Sequence, residues 1–276
     1  MEIRYAVSFQ ASQSFNTSQL RQNFVVENLF SSGKIESIYW ETDRAVIGSA
    51  VPTDAPLKLE TDRELAADFF CQRREIGVLN IGSAGKIRVD GTDYTMDAYS
   101  CLYIGRGVRD VVFSSDDAQM PARFYFLSYP AHAVHPTTLA TQSEANQLHL
   151  GSMETANQRT IYQHIHEKGI PSCQLVMGFT RLEEGSVWNT MPPHTHSRRS
   201  EVYLYFDVPE SAAVVHLMGP GEETRHLLMH SEQAVLSPSW SIHAGCGTQA
   251  YGFIWAMGGE NQRFDDMDGI AIADLR

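Results

Sequence analysis

The chain has 276 residues, 43% of them hydrophobic and 20% charged, the proportions of a folded globular protein and not of a disordered one. That length suits one large domain or two of about 100–150 residues. A formal net charge of −12 argues against a nucleic-acid partner, because binding phosphates needs a basic face, but leaves an anionic small molecule open if cations are gathered locally.

The start, MEIRYAVSFQASQS, has no basic region followed by an apolar run, so no secretory signal is expected. No apolar stretch approaches the roughly 20 residues that span a bilayer, and the expected address is the cytoplasm. The widely spaced Cys71, Cys101, Cys173 and Cys246 form no C-x-x-C and fit that address as reduced thiols. Residues 17–30, TSQLRQNFVVENLF, place Leu20, Phe24 and Val25 at helical spacing behind a Ser/Thr start and predict a short helix.

Beyond residue 75 the pattern becomes β. The runs GVLNI, KIRVDG, SCLYIG, DVVFS and RFYFLSY are punctuated by Gly, Asp and Ser turns, the rhythm of an antiparallel sandwich or barrel. No Gly-rich loop follows a strand and opens a helix, so IGSAGKIRVDG is a hairpin turn and not a phosphate cradle. Residues 131–169 are polar and read as a connector with a helical turn or two. Strand-like runs resume with SCQLVMGFTRL, SVWNTM, EVYLYFDV, AVVHLMG, RHLLMH, QAVLSP and QAYGFIWAM, and the tail GGENQRFDDMDGIAIADLR reads as loop.

Residues 87–113 and 214–256 repeat one order of strands and Gly-containing turns. The expectation is a mainly all-β protein of two duplicated barrels with a few short helices, an N-terminal copy over 1–150 and a C-terminal copy over 151–276. Only the second copy has histidines where a metal wants them. Where it has His243, the first has residues 108–110, VRD, so the first copy is expected to be structural.

The stretch MPPHTHSRRSEVYLYF carries the chemistry. His194 and His196 are two apart, which on a strand sends both side chains from one face. Glu201 would fall on the opposite face of an unbroken strand, so residues 197–200 are expected to turn and EVYLYF to begin a new strand. Tyr203 and Tyr205 then point inward with Glu201, while Val202, Leu204 and Phe206 pack on the other side. His243 arrives later, between Pro238 and Gly245. Three imidazoles and one carboxylate suit one borderline divalent ion such as zinc, manganese, iron or nickel and leave coordination positions open.

Other candidates carry less. His164 and His166 form a second H-x-H without a distant partner and read as surface or interface residues; His132 and His135 read as solvated loop, and His226 and His230 as members of a β run. Arg198 and Arg199 stand in the expected turn, where a guanidinium fork would suit a carboxylate, or else the turn is simply solvated. Tyr203, Tyr205 and Tyr251 are barrel filling or proton donors, and Trp188 and Trp240 are core or pocket wall.

H-x-H, a short gap, then E, with a distant H on a later strand, resembles the cupin pattern. The fuller segments RREIGVLNIGSAGKIRVDG, MPARFYFLSYPAH, SCQLVMGFTRLEEGSVWNTMPPHTHSRRSEVYLYF and SPSWSIHAGCGTQAYGFIWAMGGEN resemble the bacterial 5-keto-4-deoxyuronate isomerases over nearly the whole chain, with no departure at the four ligand positions. The resemblance implies two cupin-type double-stranded β-helix barrels, one zinc per subunit on His194, His196, Glu201 and His243, and a homohexamer. It implies a sugar-acid isomerase of pectin and unsaturated-uronate breakdown that interconverts 5-dehydro-4-deoxy-D-glucuronate and 3-deoxy-D-glycero-2,5-hexodiulosonate. The site residues expected on this reading are Glu201 as catalytic ligand and, from their position and chemistry and not from the resemblance, Arg198, Arg199, Tyr203 and Tyr251 as substrate contacts. A metal-dependent cupin dioxygenase and a non-catalytic sugar-acid binder are the rival readings; oxygen consumption marks the first and lack of turnover the second.

Overall fold

The computed structural model describes residues 1–276, and they fall into two compact units. The first comprises Met1–Arg4, Leu29–Ala145 and His164–Val176; the second comprises Tyr5–Asn28, Asn146–Gln163 and Met177–Arg276. The division expected near residue 150 therefore differs in two places. An N-terminal segment belongs with the later unit, and residues 164–176 belong with the earlier one.

Both units follow one plan, a seven-stranded and a four-stranded sheet. In the first, the larger sheet runs Glu2–Arg4, Ile35–Trp40, Ala45–Ala50, Phe124–Pro130, Arg74–Asn80, Cys101–Ile104 and Thr138–Ala140; the smaller runs Leu57–Lys58, Val111–Ser115, Gly85–Val89 and Thr92–Met96. In the second, the larger runs Asn146–Leu150, Arg159–Ile165, Val176–Leu182, Gly252–Gly259, Arg199–Phe206, Ala234–Ser237 and Val25–Val26; the smaller runs Trp188–Asn189, Ala244–Gly247, Val214–Met218 and Arg225–Met229. The duplicated, mainly β architecture is as expected.

Apart from the outer strands Glu2–Arg4, which pairs parallel, and Asn146–Leu150, which pairs antiparallel, the two ladders keep one register. Leu79 faces Cys101 and Tyr125 as Leu204 faces Ala234 and Ile254, and Gly85 faces Ser115 as Val214 faces Gly247. By that register Glu201 corresponds to Ile76, and His243, one residue before Ala244, corresponds to Val111 and not to residues 108–110. Ile76 and Val111 belong to a buried apolar cluster that also holds Phe113, Phe124 and Phe126. The first unit fills with apolar side chains the place where the second puts Glu201 and His243, as a small barrel without a ligand does.

Local departures from the sequence reading have local causes. The helix is Thr17–Phe24, with Asn16 and Gln19 in a reciprocal capping box. Val25 leaves it at φ −116, ψ 134, and this β-branched residue pairs with Val235 instead. The polar connector holds strands Thr138–Ala140, Asn146–Leu150 and Arg159–Ile165 and one 3-10 turn, Gln142–Glu144. In the tail, Asp268–Gly269 pairs with His194–Thr195, so part of the expected loop is a strand beside the H-x-H.

A buried charge also shapes the first unit. Glu75 is fully buried, and its carboxylate accepts the N–H groups of Cys173 at 2.7 Å, Gln174 at 2.9 Å and Leu175 at 3.0 Å, and the Tyr103 hydroxyl at 2.8 Å. Those donors hold residues 173–175 against the strand Arg74–Asn80 and satisfy a charge that burial alone would penalise.

Candidate metal centre

His194–Thr195 is a short strand, and Arg199–Phe206 starts only three residues after His196. The Arg199 N–H donates to the His196 carbonyl at 3.1 Å, which closes a turn tighter than the expected one. Arg199 and Ser200 already belong to the new strand, whose residues are all buried. Glu201 and Tyr203 face the same space, and Val202, Leu204 and Phe206 pack oppositely by strand parity. His243 sits where the chain enters Ala244–Gly247.

These elements bring four ligand atoms together. His194 Nε2 lies 3.1 Å from both His196 Nε2 and His243 Nε2, and Glu201 Oε2 lies 3.0 Å from His196 Nε2 and His243 Nε2. All four lie within 4.8 Å of one another. Spacings near 3 Å are those of atoms about 2.0–2.2 Å from one shared ion. Glu201 Oε2 has no hydrogen-bond partner although its residue is 3% exposed. A buried convergence of lone pairs without enough protons to satisfy them calls for a cation. Three imidazoles and one carboxylate therefore fit a divalent metal.

Protonation supports the same reading. Burial, with His243 and His196 adding to it, pushes His194 down to about 2, which keeps its ring neutral and its lone pair free. Desolvation alone would raise Glu201, but His243 and His196 outweigh it and hold the carboxyl below its ordinary value. His196 Nδ1 lies 2.6 Å from the Asp266 carbonyl oxygen. Since a carbonyl only accepts, Nδ1 carries the proton and Nε2 faces the centre. His243 Nδ1 lies 3.3 Å from Ser237 Oγ.

The expected carboxylate fork is already engaged. Arg198 donates from Nε to Asp266 at 2.7 Å and from Nη2 to Asp268 at 2.9 Å. The first of these bonds, with Asn261 adding to it, holds the Asp266 carboxyl below its ordinary value. Arg199, 2% exposed, donates from Nη2 to the Asp266 carbonyl at 2.8 Å and from Nη1 to the Arg263 carbonyl. The two arginines brace the C-terminal segment against His196 and do not line the cavity beside the metal ligands.

That cavity, about 240 Å³, is bounded by His194, His196 and Glu201, by Thr190, Tyr203 and Arg159, and by an apolar wall that includes Ile161, Phe253, Trp255 and Met257. Phe264 and Met267 of the braced segment also line it. Tyr203 lies with its hydroxyl 3.1 Å from Thr190 Oγ1, and burial followed by the charge of Glu201 raises its phenol well above the ordinary value. Tyr251 is not at the cavity: its hydroxyl accepts from Asn189 Nδ2 at 2.6 Å. Tyr205 is buried with its hydroxyl 2.7 Å from His216 Nδ1. Trp240 packs on Phe9 and Phe24, away from this lining.

The second H-x-H is elsewhere and is not on the surface. His164 is 2% and His166 9% exposed, and burial pushes His164 down to about 4. His226 and His230 are exposed and His132 is too. Sequence reading missed Arg159 and His216. A histidine between Val214 and Met218, at their inward parity, was a usable signal for His216. Arg159, inside a polar stretch, offered none.

A model of the KduI/IolB family matches residues 24–272. The 4-deoxy-L-threo-5-hexosulose-uronate ketol-isomerase of Halalkalibacterium halodurans is 52% identical over 276 residues, covering all of both chains. That of Caldicellulosiruptor bescii is 49% identical over the same length, again covering all of both. Among solved structures, an IolB-like protein from Salmonella typhimurium LT2 superimposes with a TM-score of 0.73 at 13% identity, over 90% of this chain and 97% of that one. The oxalate decarboxylase of Lactobacillus farciminis does so with a TM-score of 0.61 at 10% identity, over 91% and 88%. These two speak to the fold alone.

Proposed function

The chain belongs to the KduI/IolB family, and on that premise we propose that it is a 4-deoxy-L-threo-5-hexosulose-uronate ketol-isomerase, an aldose–ketose isomerase that yields 3-deoxy-D-glycero-2,5-hexodiulosonate. The carrying observation is the His194, His196, Glu201 and His243 cluster, which opens on a cavity of small-molecule size inside a chain alike over its whole length to enzymes of that name. We assign zinc to the cluster on the family resemblance: imidazole and carboxylate donors suit that ion, and coordination beyond four would leave positions for substrate oxygens. When bound, the ion supplies Lewis acidity to adjacent carbonyl and hydroxyl oxygens and so acidifies the C–H between them.

The chain's own groups do the rest. Glu201 and the three imidazoles hold their lone pairs toward one point. Tyr203, kept protonated by its burial, presents a hydroxyl proton to a substrate oxygen, with Thr190 Oγ1 as its hydrogen-bond partner. The apolar wall excludes water, so that a proton moved between neighbouring carbons is not lost to solvent. General acid–base assistance of this kind contributes about 10²–10⁴-fold. A cytoplasmic homohexamer is part of the same proposal and rests on the family resemblance; no helix is long and apolar enough to cross a membrane.

The test is turnover of an unsaturated-uronate digest by purified protein, with metal analysis alongside. The expected result is isomerisation that stops on chelation and returns with zinc, without oxygen consumption. Turnover undiminished in metal-free protein would overturn the reading.

A further inference from the structure

A uronate brings a carboxylate into a protein of net charge −12, and something must receive it. Arg198 and Arg199 are committed to the C-terminal segment. Of the residues lining the cavity, Arg159 alone carries a permanent positive charge. It opens the strand Arg159–Ile165, and Ile161, two residues on and therefore on the same face, lines the cavity with it. One guanidinium N–H, on Nη1, donates to the Asn157 carbonyl at 2.9 Å. No other hydrogen bond of this guanidinium is formed within the chain, and no carboxylate pairs with it.

We propose that Arg159 receives the substrate's carboxylate and thereby fixes which end of the sugar acid meets the metal ligands. This rests on the uronate reading above. In an open-chain hexosulose uronate the carboxylate is C6 and the aldehyde is C1, at opposite ends of the chain. A guanidinium and a set of metal ligands on the wall of one cavity are complementary to those two ends. The planar fork of arginine matches a carboxylate with two parallel N–H···O bonds, which a lysine ammonium cannot reproduce. Desolvation in its present surroundings lowers the Arg159 pKa, so an incoming carboxylate relieves a cost that the free protein carries.

The experiment uses the full zinc-loaded chain, Arg159→Gln and Arg159→Lys, with the hexosulose uronate and its C6 methyl ester as substrates. The expected result is a KM for the acid raised about 10- to 100-fold in Arg159→Gln, the loss of one or two charge-assisted bonds, with less rescue by lysine than charge alone predicts. Metal content stays as in the wild type, and the ester is handled alike by both. An unchanged KM for the acid, or an equal loss on acid and ester, overturns the assignment. Calorimetry with D-galacturonate against D-galactose separates this from the reaction itself. If the wild-type chain does not turn over the hexosulose uronate, the isomerase reading falls; if Arg159→Gln then binds galacturonate as the wild type does, the carboxylate assignment falls as well, and selective loss of galacturonate binding upholds it.

Discussion

Arg199→Ala tests whether the C-terminal segment is part of the metal centre. The side chain is 2% exposed and holds the carbonyls of Arg263 and Asp266. The second of these is the acceptor that fixes the His196 Nδ1 proton. Removing the guanidinium leaves that carbonyl without the group that positions it, and His196 loses its reason to keep Nε2 aimed at the centre. Loss of such an outer partner weakens metal binding about 10- to 100-fold, which is about 1.4–2.7 kcal/mol. The assay is competition for zinc against a chelator of known affinity, with circular dichroism to show that the sheets survive. Arg199→Lys should recover part of the loss, because one donor can still reach a carbonyl. Wild-type zinc affinity in Arg199→Ala would refute the brace and reduce the segment to a covering.

Glu75→Gln replaces a carboxylate that takes four donors by an amide with one accepting oxygen. At least one N–H is left facing an NH₂, at a cost of about 1–3 kcal/mol; urea unfolding should show a lower midpoint while uptake of added zinc stays unchanged. Gly178→Ala puts a methyl 2.2 Å from the Tyr162 carbonyl and 2.4 Å from the Trp255 ring, so the strand or the cavity wall must move. Overpacking of this kind costs about 1–3 kcal/mol, and tryptophan fluorescence and turnover should both change. His164 is held neutral down to about 4 against an ordinary 6.5. Between those values the unfolded chain binds the extra proton, so stability falls as pH drops through that window. Replacing His164 by Gln should flatten that slope in pH-dependent thermal melts, and an unaltered slope would place its origin elsewhere.

That the four candidate ligands would meet was legible in the sequence because strand parity is strict. His194 and His196 share a face by spacing alone, and a glutamate at the wrong parity implied the turn that the structure contains. The repeat of strand order was legible for a similar reason, although only the ladder register shows that Val111 stands where the second unit has His243. The arginine roles were not legible. Adjacency to a ligand says nothing about Asp266 and Asp268, some 70 residues on, which occupy those guanidiniums. Arg159–Ile165 was hidden because its buried face carries Gln163 and its neighbouring edge strand exposes Asn146, Gln147 and His149, so the hydrophobic alternation that marks a strand is absent.

The strand Val25–Val26 has an implication for how the chain is made. Its partners, Val235 and Ala234, are encoded some 210 residues later, the separation of Val25 from Val235 in the ladder. At about 5–20 residues per second of synthesis, this edge waits on the order of 10–40 s for its partner. The first unit needs only residues up to 176, so its sheets can form while the second is still being translated, and Glu75 gains its backbone donors when residues 173–175 appear. A nascent chain that stalls between those points carries one barrel able to close and one exposed valine pair awaiting a neighbour, the state in which edge-to-edge association is easiest. Assembly of the half that holds the candidate metal centre is therefore tied to synthesis of its last strands.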